Sequence, residues 1–174
     1  MRLVLRTMEV GDLPLVARWL DAPHVARWWL AGSSVERELD DLGQSVTGSL
    51  PVQALLVVDD EEPVGWCQWY LCADEPAWAA DVGATPGDVG IDYAIGEATL
   101  VGHGMGTELV AGLVARVRTI HPGCGVIADP DERNVPSRRV LEKNGFDLVR
   151  VAALPSEPTE SPVAVYRLAP LGAS

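Results

Sequence analysis

Residues 90–120 contain the side-chain types and spacings that could carry chemistry. A predicted strand with the sequence Gly-Ile-Asp-Tyr-Ala-Ile precedes the turn Val-Gly-His-Gly-Met-Gly at residues 101–106, and an amphipathic helix follows as far as Ile120. Glycines let the backbone approach a bulky anion, and the free N–H groups and the dipole at a helix start favour negative charge. The turn is therefore predicted to bind an anion, with the Thr107 hydroxyl as a further donor.

Asp92 is an acid inside the predicted strand. The two-residue period of a strand places Gly90 and Ala94 on the same face as Asp92, and these small neighbours leave room for a ligand. Carboxylates are rarely buried in strands without a partner or a role. Two interpretations stay open from the pattern alone, a solubilising acid on an edge strand or an acid that faces a reacting centre.

Three kinds of anion site compete for the glycine turn. A P-loop requires Lys before its Ser or Thr, but Gly106 precedes Thr107. A dinucleotide fold has its glycines near the start of an alternating βαβ chain, with an acid about 20 residues on, whereas this turn follows four or five predicted sheet elements. A coenzyme A pyrophosphate site fits both the mid-chain position and the helix that follows.

An α/β domain is needed to position these residues. Alternating and apolar runs predict strands at residues 2–7, 52–58, 64–71, 89–95, 125–128, 146–151 and 163–168. Helices are predicted after Asp12, over residues 24–30, from a capping box of Ser33 and Glu36 to Ser45, over residues 107–120 and after Asn134. Residues 72–88 are predicted to form a loop. We expect one α/β domain over residues 1–174, with a mixed sheet.

The charge distribution divides the chain into an acidic first part and a nearly neutral remainder. Residues 1–100 hold 17 acids and 5 bases, whereas residues 101–145 hold 5 acids and 6 bases, and the whole chain carries a net charge of −12. Such a field repels nucleic acid and anionic lipid and favours cations. We therefore predict no nucleic-acid or membrane partner.

The three cysteines are an odd number without metal-ligand spacing, and no signal-peptide pattern stands at the N-terminus. We therefore predict no metal site and a cytoplasmic location. The longest apolar runs are far shorter than the ~20 residues that span a bilayer, which argues against a transmembrane helix.

Two segments resemble the GCN5-related N-acetyltransferase (GNAT) family. The turn at residues 101–106 resembles that family's Arg/Gln-x-x-Gly-x-Gly/Ala signature, and residues 129–146, which end in Asn-Gly-Phe, are similar to its second acetyl-CoA motif. The resemblance implies acetyl-CoA as co-substrate and a GNAT-like mixed, mostly antiparallel central sheet flanked by helices on both faces. It implies the following coenzyme A contacts: Ala94, Ile95, Val101, Gly102, His103, Gly104, Met105, Gly106, Thr107, Asn134, Ser137 and Arg138.

Nearly the whole chain is similar to the aminoglycoside 6'-N-acetyltransferase branch of this family, from the opening Leu-Arg-Thr-Met to the Asp-Pro step at residues 129–130. The resemblance implies that Asp92 is the base or water-relay acid for the acceptor amine and that Asp129 contacts the amines of the drug. Asp74 and Trp78 match an acid and a Trp that bind a sugar ring. Trp28 is a candidate for the cleft wall, because it and the adjacent Trp29 cannot both face a core.

Two positions depart from the family pattern. Val101 stands where the family has Arg or Gln. This departure is tolerable because backbone N–H groups make most of the contacts to the phosphates. Leu141 stands where a Tyr often protonates the departing thiolate. Either the thiolate leaves unprotonated, since a free thiol has a pKa of ~8.5, or water supplies the proton.

The predicted activity is direct acetyl transfer from acetyl-CoA to a cationic aminoglycoside, by a monomer or a homodimer. One alternative is a siderophore lysine or hydroxylysine N-acyltransferase, because residues 87–98 also resemble that branch, although a His usually stands there at the position of Asp92. A second alternative is a non-catalytic module that binds coenzyme A or sequesters a drug.

Overall fold

A computed structural model describes residues 3–172 and contains one seven-stranded sheet. The strands are β1 (Leu3–Thr7), β2 (Val52–Asp59), β3 (Glu62–Leu71), β4 (Val89–Ile95), β5 (Val126–Ala128), β6 (Asp147–Ala152) and β7 (Val163–Leu168). They lie in the order β1-β2-β3-β4-β5-β7-β6. All neighbours are antiparallel except β4 and β5. The predicted mixed, mostly antiparallel sheet is confirmed; Arg2, the predicted start of the first strand, lies outside the described residues.

Helices cover both faces of this sheet. They are α1 (Leu13–Leu20), α2 (Pro23–Trp29), α3 (Val35–Val46), α4 (Pro76–Val82), α5 (Met105–Ile120) and α6 (Val135–Lys143). Alternate residues of β2 pack into two different cores. Leu55 and Val57 join the core under α5 and α6, whereas Ala54 and Leu56 join the core under α1 and α3.

Two local predictions differ from the structure. The N-cap of α3 is Ser34, whose side chain accepts from the Arg37 N–H, and not Ser33. The predicted loop at residues 72–88 contains the short helix α4. It has Pro76 in its first turn and the left-handed Gly83 at its end, and it buries Trp78. These are ordinary helix boundary signals.

The contact between β4 and β5 is short. Their parallel ladder contains the pairs Val89–Val126 and Gly90–Ile127, and β5 ends at Ala128 while β4 continues to Ile95. Backbone groups alternate in direction along a strand, and the Val89 N–H points to β5, where it donates to the Gly125 carbonyl. The N–H of Tyr93 therefore faces the gap that opens beyond the ladder.

Gly65 allows β3 and β4 to approach closely. A Cβ atom at this position would lie 2.2 Å from the Ala94 carbonyl oxygen, which is fixed in the ladder. We expect Gly65→Ala to reduce the free energy of unfolding by about 3 kcal/mol, measured by chemical denaturation. Gly112→Ala is the control: its Cβ would lie 3.8 Å from the nearest atom, on the exposed side of α5, and we expect it to stabilise the protein by about 0.5–1 kcal/mol. Equal effects of the two substitutions would contradict this packing argument.

Candidate active site

Asp92 lies on β4 and is fixed by its neighbour across the ladder. Gln68 of β3 is its register partner, and the Gln68 Nε2 donates to Asp92 Oδ2 over 2.9 Å. The Asp92 side chain is half-buried. The protein atoms around its carboxyl exclude most of the water that would otherwise solvate it. Desolvation raises the pKa of Asp92 to about 6, against a smaller lowering by Gln68. The group is therefore a carboxylate at neutral pH with a stronger basicity than an exposed acid.

Asp129 follows β5 directly and receives a hydrogen bond from α4. The Trp78 Nε1 donates to Asp129 Oδ2 over 3.0 Å, which connects residues 51 positions apart. Burial raises the pKa of Asp129 to about 8; the Trp78 bond lowers it, and the charge of Asp92 raises it further. In the absence of a bound cation, Asp129 is thus largely protonated at pH 7.

These two acids line a cleft made of two adjoining cavities of about 360 and 580 Å³. Asp92, Gln68 and Trp29 contribute to both cavities. The acids on the combined wall are Glu38, Asp41, Glu75, Asp92, Asp129, Asp131 and Glu157. Among the described wall residues, Arg37 alone is basic. This charge balance suits a ligand with several positive charges.

Aromatic side chains form part of the same wall. Trp28 and Trp29 both contribute to the larger cavity. The Trp29 Nε1 donates to Glu38 Oε2 over 2.9 Å, and Tyr70 packs edge-on against Trp78 with ring centroids 5.4 Å apart. Flat apolar surfaces beside carboxylates suit a ligand that has both hydrocarbon rings and ammonium groups.

The glycine turn before α5 fits an anionic group. Gly102 and Gly104 have φ angles of 86° and 87°, and nothing lies within 4 Å of a Cβ built on either. The helix bonds begin with the Thr107 and Glu108 N–H groups, which both bond to the Gly104 carbonyl. The Met105 and Gly106 N–H groups therefore lie before the first hydrogen bonds of the helix. They stand at the positive end of the dipole of this 16-residue helix.

The start of α6 lies against β4 at the edge of the cleft. Asn134 caps the helix, with its Oδ1 accepting from the Ser137 N–H over 3.3 Å. The Tyr93 Oη lies 2.7 Å from the Ser137 Oγ. Leu141, one turn further on, is fully buried.

Three residues assigned from the sequence have the following surroundings in the structure. Asp74 is exposed, whereas its neighbour Glu75 lies on the cleft wall. His103 is exposed, with Nδ1 3.1 Å from the Val101 carbonyl oxygen. The Arg138 guanidinium donates to the Tyr166 hydroxyl over 3.1 Å and to the Glu132 carbonyl over 3.0 Å.

The structure adds residues that the sequence did not single out. Gln68 orients Asp92, and Glu38 and Glu157 bring distant acids to the same cleft. The His24 Nε2 lies 3.0 Å from the Ile95 carbonyl oxygen and so ties α2 to the end of β4. Among these residues, only Gln68 had a sequence signal, because it lies in the predicted strand that precedes the strand of Asp92.

Within residues 3–172, no group of three or more His, Cys, Asp or Glu side chains is arranged to hold a metal ion. Over the same residues, none of the helices combines the length and apolar character needed to cross a bilayer.

Comparison with known proteins gives consistent matches. A family model described as an acetyltransferase (GNAT) domain matches residues 9–154. The aminoglycoside N(6')-acetyltransferase type 1 of Klebsiella pneumoniae is 28% identical over 158 residues, which cover 88% of this chain and 78% of that protein. The lysine N-acyltransferase MbtK of Mycolicibacterium paratuberculosis is 33% identical over 145 residues, which cover 81% of this chain and 63% of that protein.

The fold also matches a solved structure that contains coenzyme A and kanamycin. A crystal structure of aminoglycoside acetyltransferase AAC(6')-Ib in complex with coenzyme A and kanamycin is 25% identical to this chain, with a TM-score of 0.76. The alignment covers 97% of this chain and 95% of that one.

Proposed function

Because the chain belongs to the GNAT acetyltransferase family and is an acyltransferase, we propose that it is an aminoglycoside 6'-N-acetyltransferase that uses acetyl-CoA. The observation that carries the proposal is the convergence of Asp92 and Asp129 with further acids in one cleft. A carboxylate and an ammonium ~4 Å apart attract each other by ~1 kcal/mol in water but by ~4 kcal/mol at an effective dielectric of 20. Several such contacts distinguish a polyamine from an acceptor with a single charge.

Asp92 is proposed to accept the proton of the acceptor amine, directly or through one water. An alkyl ammonium is mostly protonated at neutral pH and must lose a proton before it can attack a carbonyl. A carboxylate with a pKa of about 6 is ionised at pH 7 and is a better base than an ordinary Asp. Gln68 keeps one carboxylate oxygen oriented, so the other remains available to the amine.

Asp129 is proposed to bind an ammonium group of the acceptor. Its raised pKa means that the carboxylate form is costly in the free protein, and a cation beside it would favour that form. Trp78 fixes the orientation of the carboxyl by a hydrogen bond, and its own ring packs against Tyr70.

The coenzyme A site is proposed to extend from the glycine turn to α6. The N–H groups at residues 102–106 and the Thr107 hydroxyl would hold the pyrophosphate, and Asn134 and Ser137 would line the arm of the cofactor. Acetyl-CoA supplies the activated acetyl thioester. The backbone N–H of Tyr93, which faces the gap between β4 and β5, is placed to polarise a carbonyl in that gap.

A second candidate acceptor is a lysine derivative, which the 33% identical relative favours by its name. A lysine side chain carries one ammonium group, so it would leave most of the cleft acids without a partner. The decisive assay is thiol release from acetyl-CoA with kanamycin or with lysine derivatives as acceptor. Turnover with kanamycin alone supports the proposal, turnover with lysine derivatives alone favours the second candidate, and binding of coenzyme A without turnover of any amine indicates a non-catalytic module.

A further inference from the structure

Tyr93 brings a phenol hydroxyl to the same cleft as Asp92. The two residues are adjacent on β4 and point to opposite faces of the strand. Both nevertheless line the larger cavity, because β4 and β5 separate beyond Gly90 and the gap reaches through the sheet. The strand therefore offers a base and a hydroxyl on the two sides of one opening.

The Tyr93 hydroxyl has a defined partner on α6. The Tyr93 Oη lies 2.7 Å from the Ser137 Oγ and 3.2 Å from the Ser137 carbonyl oxygen. When the Ser137 hydroxyl donates to Tyr93 Oη, the phenol proton lies towards the Ser137 carbonyl oxygen. A hydroxyl hydrogen can rotate about its C–O bond, so this proton can turn from the carbonyl to another acceptor in the cleft. Ser137 also lies in the first turn of α6, after the Asn134 cap, where the helix dipole favours negative charge.

We propose that the Tyr93 hydroxyl donates a hydrogen bond to the departing sulfur of the acyl donor and that Ser137 positions this hydroxyl. The inference rests on the proposed function and adds a catalytic residue to it. During transfer, the bond from the amine nitrogen to the acetyl carbon forms and the carbon–sulfur bond breaks, with its electron pair remaining on sulfur. The ammonium nitrogen loses one proton before it attacks and a second as the amide forms, and both pass through Asp92 to solvent. The thiolate held by Tyr93 then takes one proton back from solvent, so the products are the amide, the thiol and one released proton.

The acidity of the two groups fits a hydrogen bond better than proton transfer. Burial raises the pKa of the Tyr93 phenol, and the Ser137 hydrogen bond lowers it by less. A thiol with a pKa of ~8.5 is a stronger acid than such a phenol. Tyr93 therefore remains protonated and available as a donor across the working pH range.

Other hydroxyls of the site are less suited to this role. Tyr70 is on the acceptor side, in contact with Trp78 and covering Gly90. Leu141, one turn beyond Ser137 on the same helix face, has no hydroxyl and is fully buried. Tyr93 reaches this face of α6 from the opposite wall, at Ser137.

The test is the thiol pKa of coenzyme A bound to the purified protein, measured by the ultraviolet absorbance of the thiolate without any acceptor. A hydrogen bond to an ionised group is worth enough to lower this pKa by about one unit. We therefore expect Tyr93→Phe to raise the bound thiol pKa by about one unit and to lower kcat about tenfold. Ser137→Ala should give a smaller rise, and no additional rise when combined with Tyr93→Phe, because it acts through the tyrosine.

Tyr166→Phe is the matched control. The Tyr166 hydroxyl also contacts α6, donating to Glu142 Oε1 over 2.7 Å, but the side chain is fully buried. Its loss should leave the bound thiol pKa unchanged. Equal thiol pKa values in the wild type, Tyr93→Phe and Ser137→Ala, with coenzyme A bound to each, would overturn the inference. The proposed coenzyme A site would remain supported by that result. Failure of the wild type to bind coenzyme A would overturn the proposed function together with this inference.

Discussion

Asp92→Asn is expected to lower kcat by about 10²–10⁴-fold, the range typical for loss of a general base, while the affinity for coenzyme A stays unchanged. Asparagine has nearly the same shape and still offers an oxygen to Gln68 Nε2, so the β3–β4 ladder is preserved. What is lost is the group that accepts the amine proton. Thiol release in steady state gives kcat, and calorimetric titration gives the dissociation constant of coenzyme A.

The pH profile gives an independent check of the same residue. Asp92 has a pKa of about 6 in the free protein, and only its carboxylate form can act as a base. The kcat/KM of the wild type should therefore fall as the pH drops through about 6, and this acidic limb should be absent in Asp92→Asn. Asp60→Asn is the control: Asp60 is exposed in the β2–β3 turn with a φ of 44°, a conformation that Asn tolerates. An unchanged kcat in Asp92→Asn would remove this residue from the chemistry.

The sheet could be predicted from the sequence because its signals are local. The strand period identified Asp92 as an acid among small residues on one face of β4, and the glycines of residues 101–106 predicted an anion site at the start of α5. The mostly antiparallel order and helices on both faces came from the family resemblance, and the structure confirms them.

The composition of the cleft could not be predicted, because it depends on contacts between distant segments. Glu38 belongs to α3 and Glu157 to the loop between β6 and β7, yet both line the cavity with Asp92. The hydrogen bond from Trp78 to Asp129 depends on α4. The sequence contains the boundary signals of this helix, but its seven residues were predicted to belong to a loop. No local period specifies which of these side chains meet, since tertiary packing decides it.

Asp129→Asn is expected to weaken binding of a polycationic acceptor by about 10–100-fold above pH 8, the energy of one hydrogen bond to a charged group. The effect should shrink as the pH falls below about 8, because wild-type Asp129 is then protonated before the acceptor binds. For the same reason, acceptor binding near pH 7 should release a proton from the wild type at this site and none from the variant. Calorimetry in buffers of different ionisation enthalpy measures both the affinity and the proton release.

The same substitution is expected to stabilise the folded protein at alkaline pH. The pKa of Asp129 is raised on folding, from its ordinary value near 3.8 to about 8, so the folded state binds more protons than the unfolded state between these values. Wild-type stability must therefore fall at this site as the pH rises through that window. The neutral amide of Asp129→Asn removes the fall, while its oxygen still accepts from Trp78. Asp131→Asn is the matched control, because the hydrogen bond from Arg133 lowers the pKa of Asp131 and reverses the sign. A free energy of unfolding for Asp129→Asn that follows the wild type from pH 5 to pH 9 would show that Asp129 is not desolvated, and would remove the reason for expecting a cation beside it.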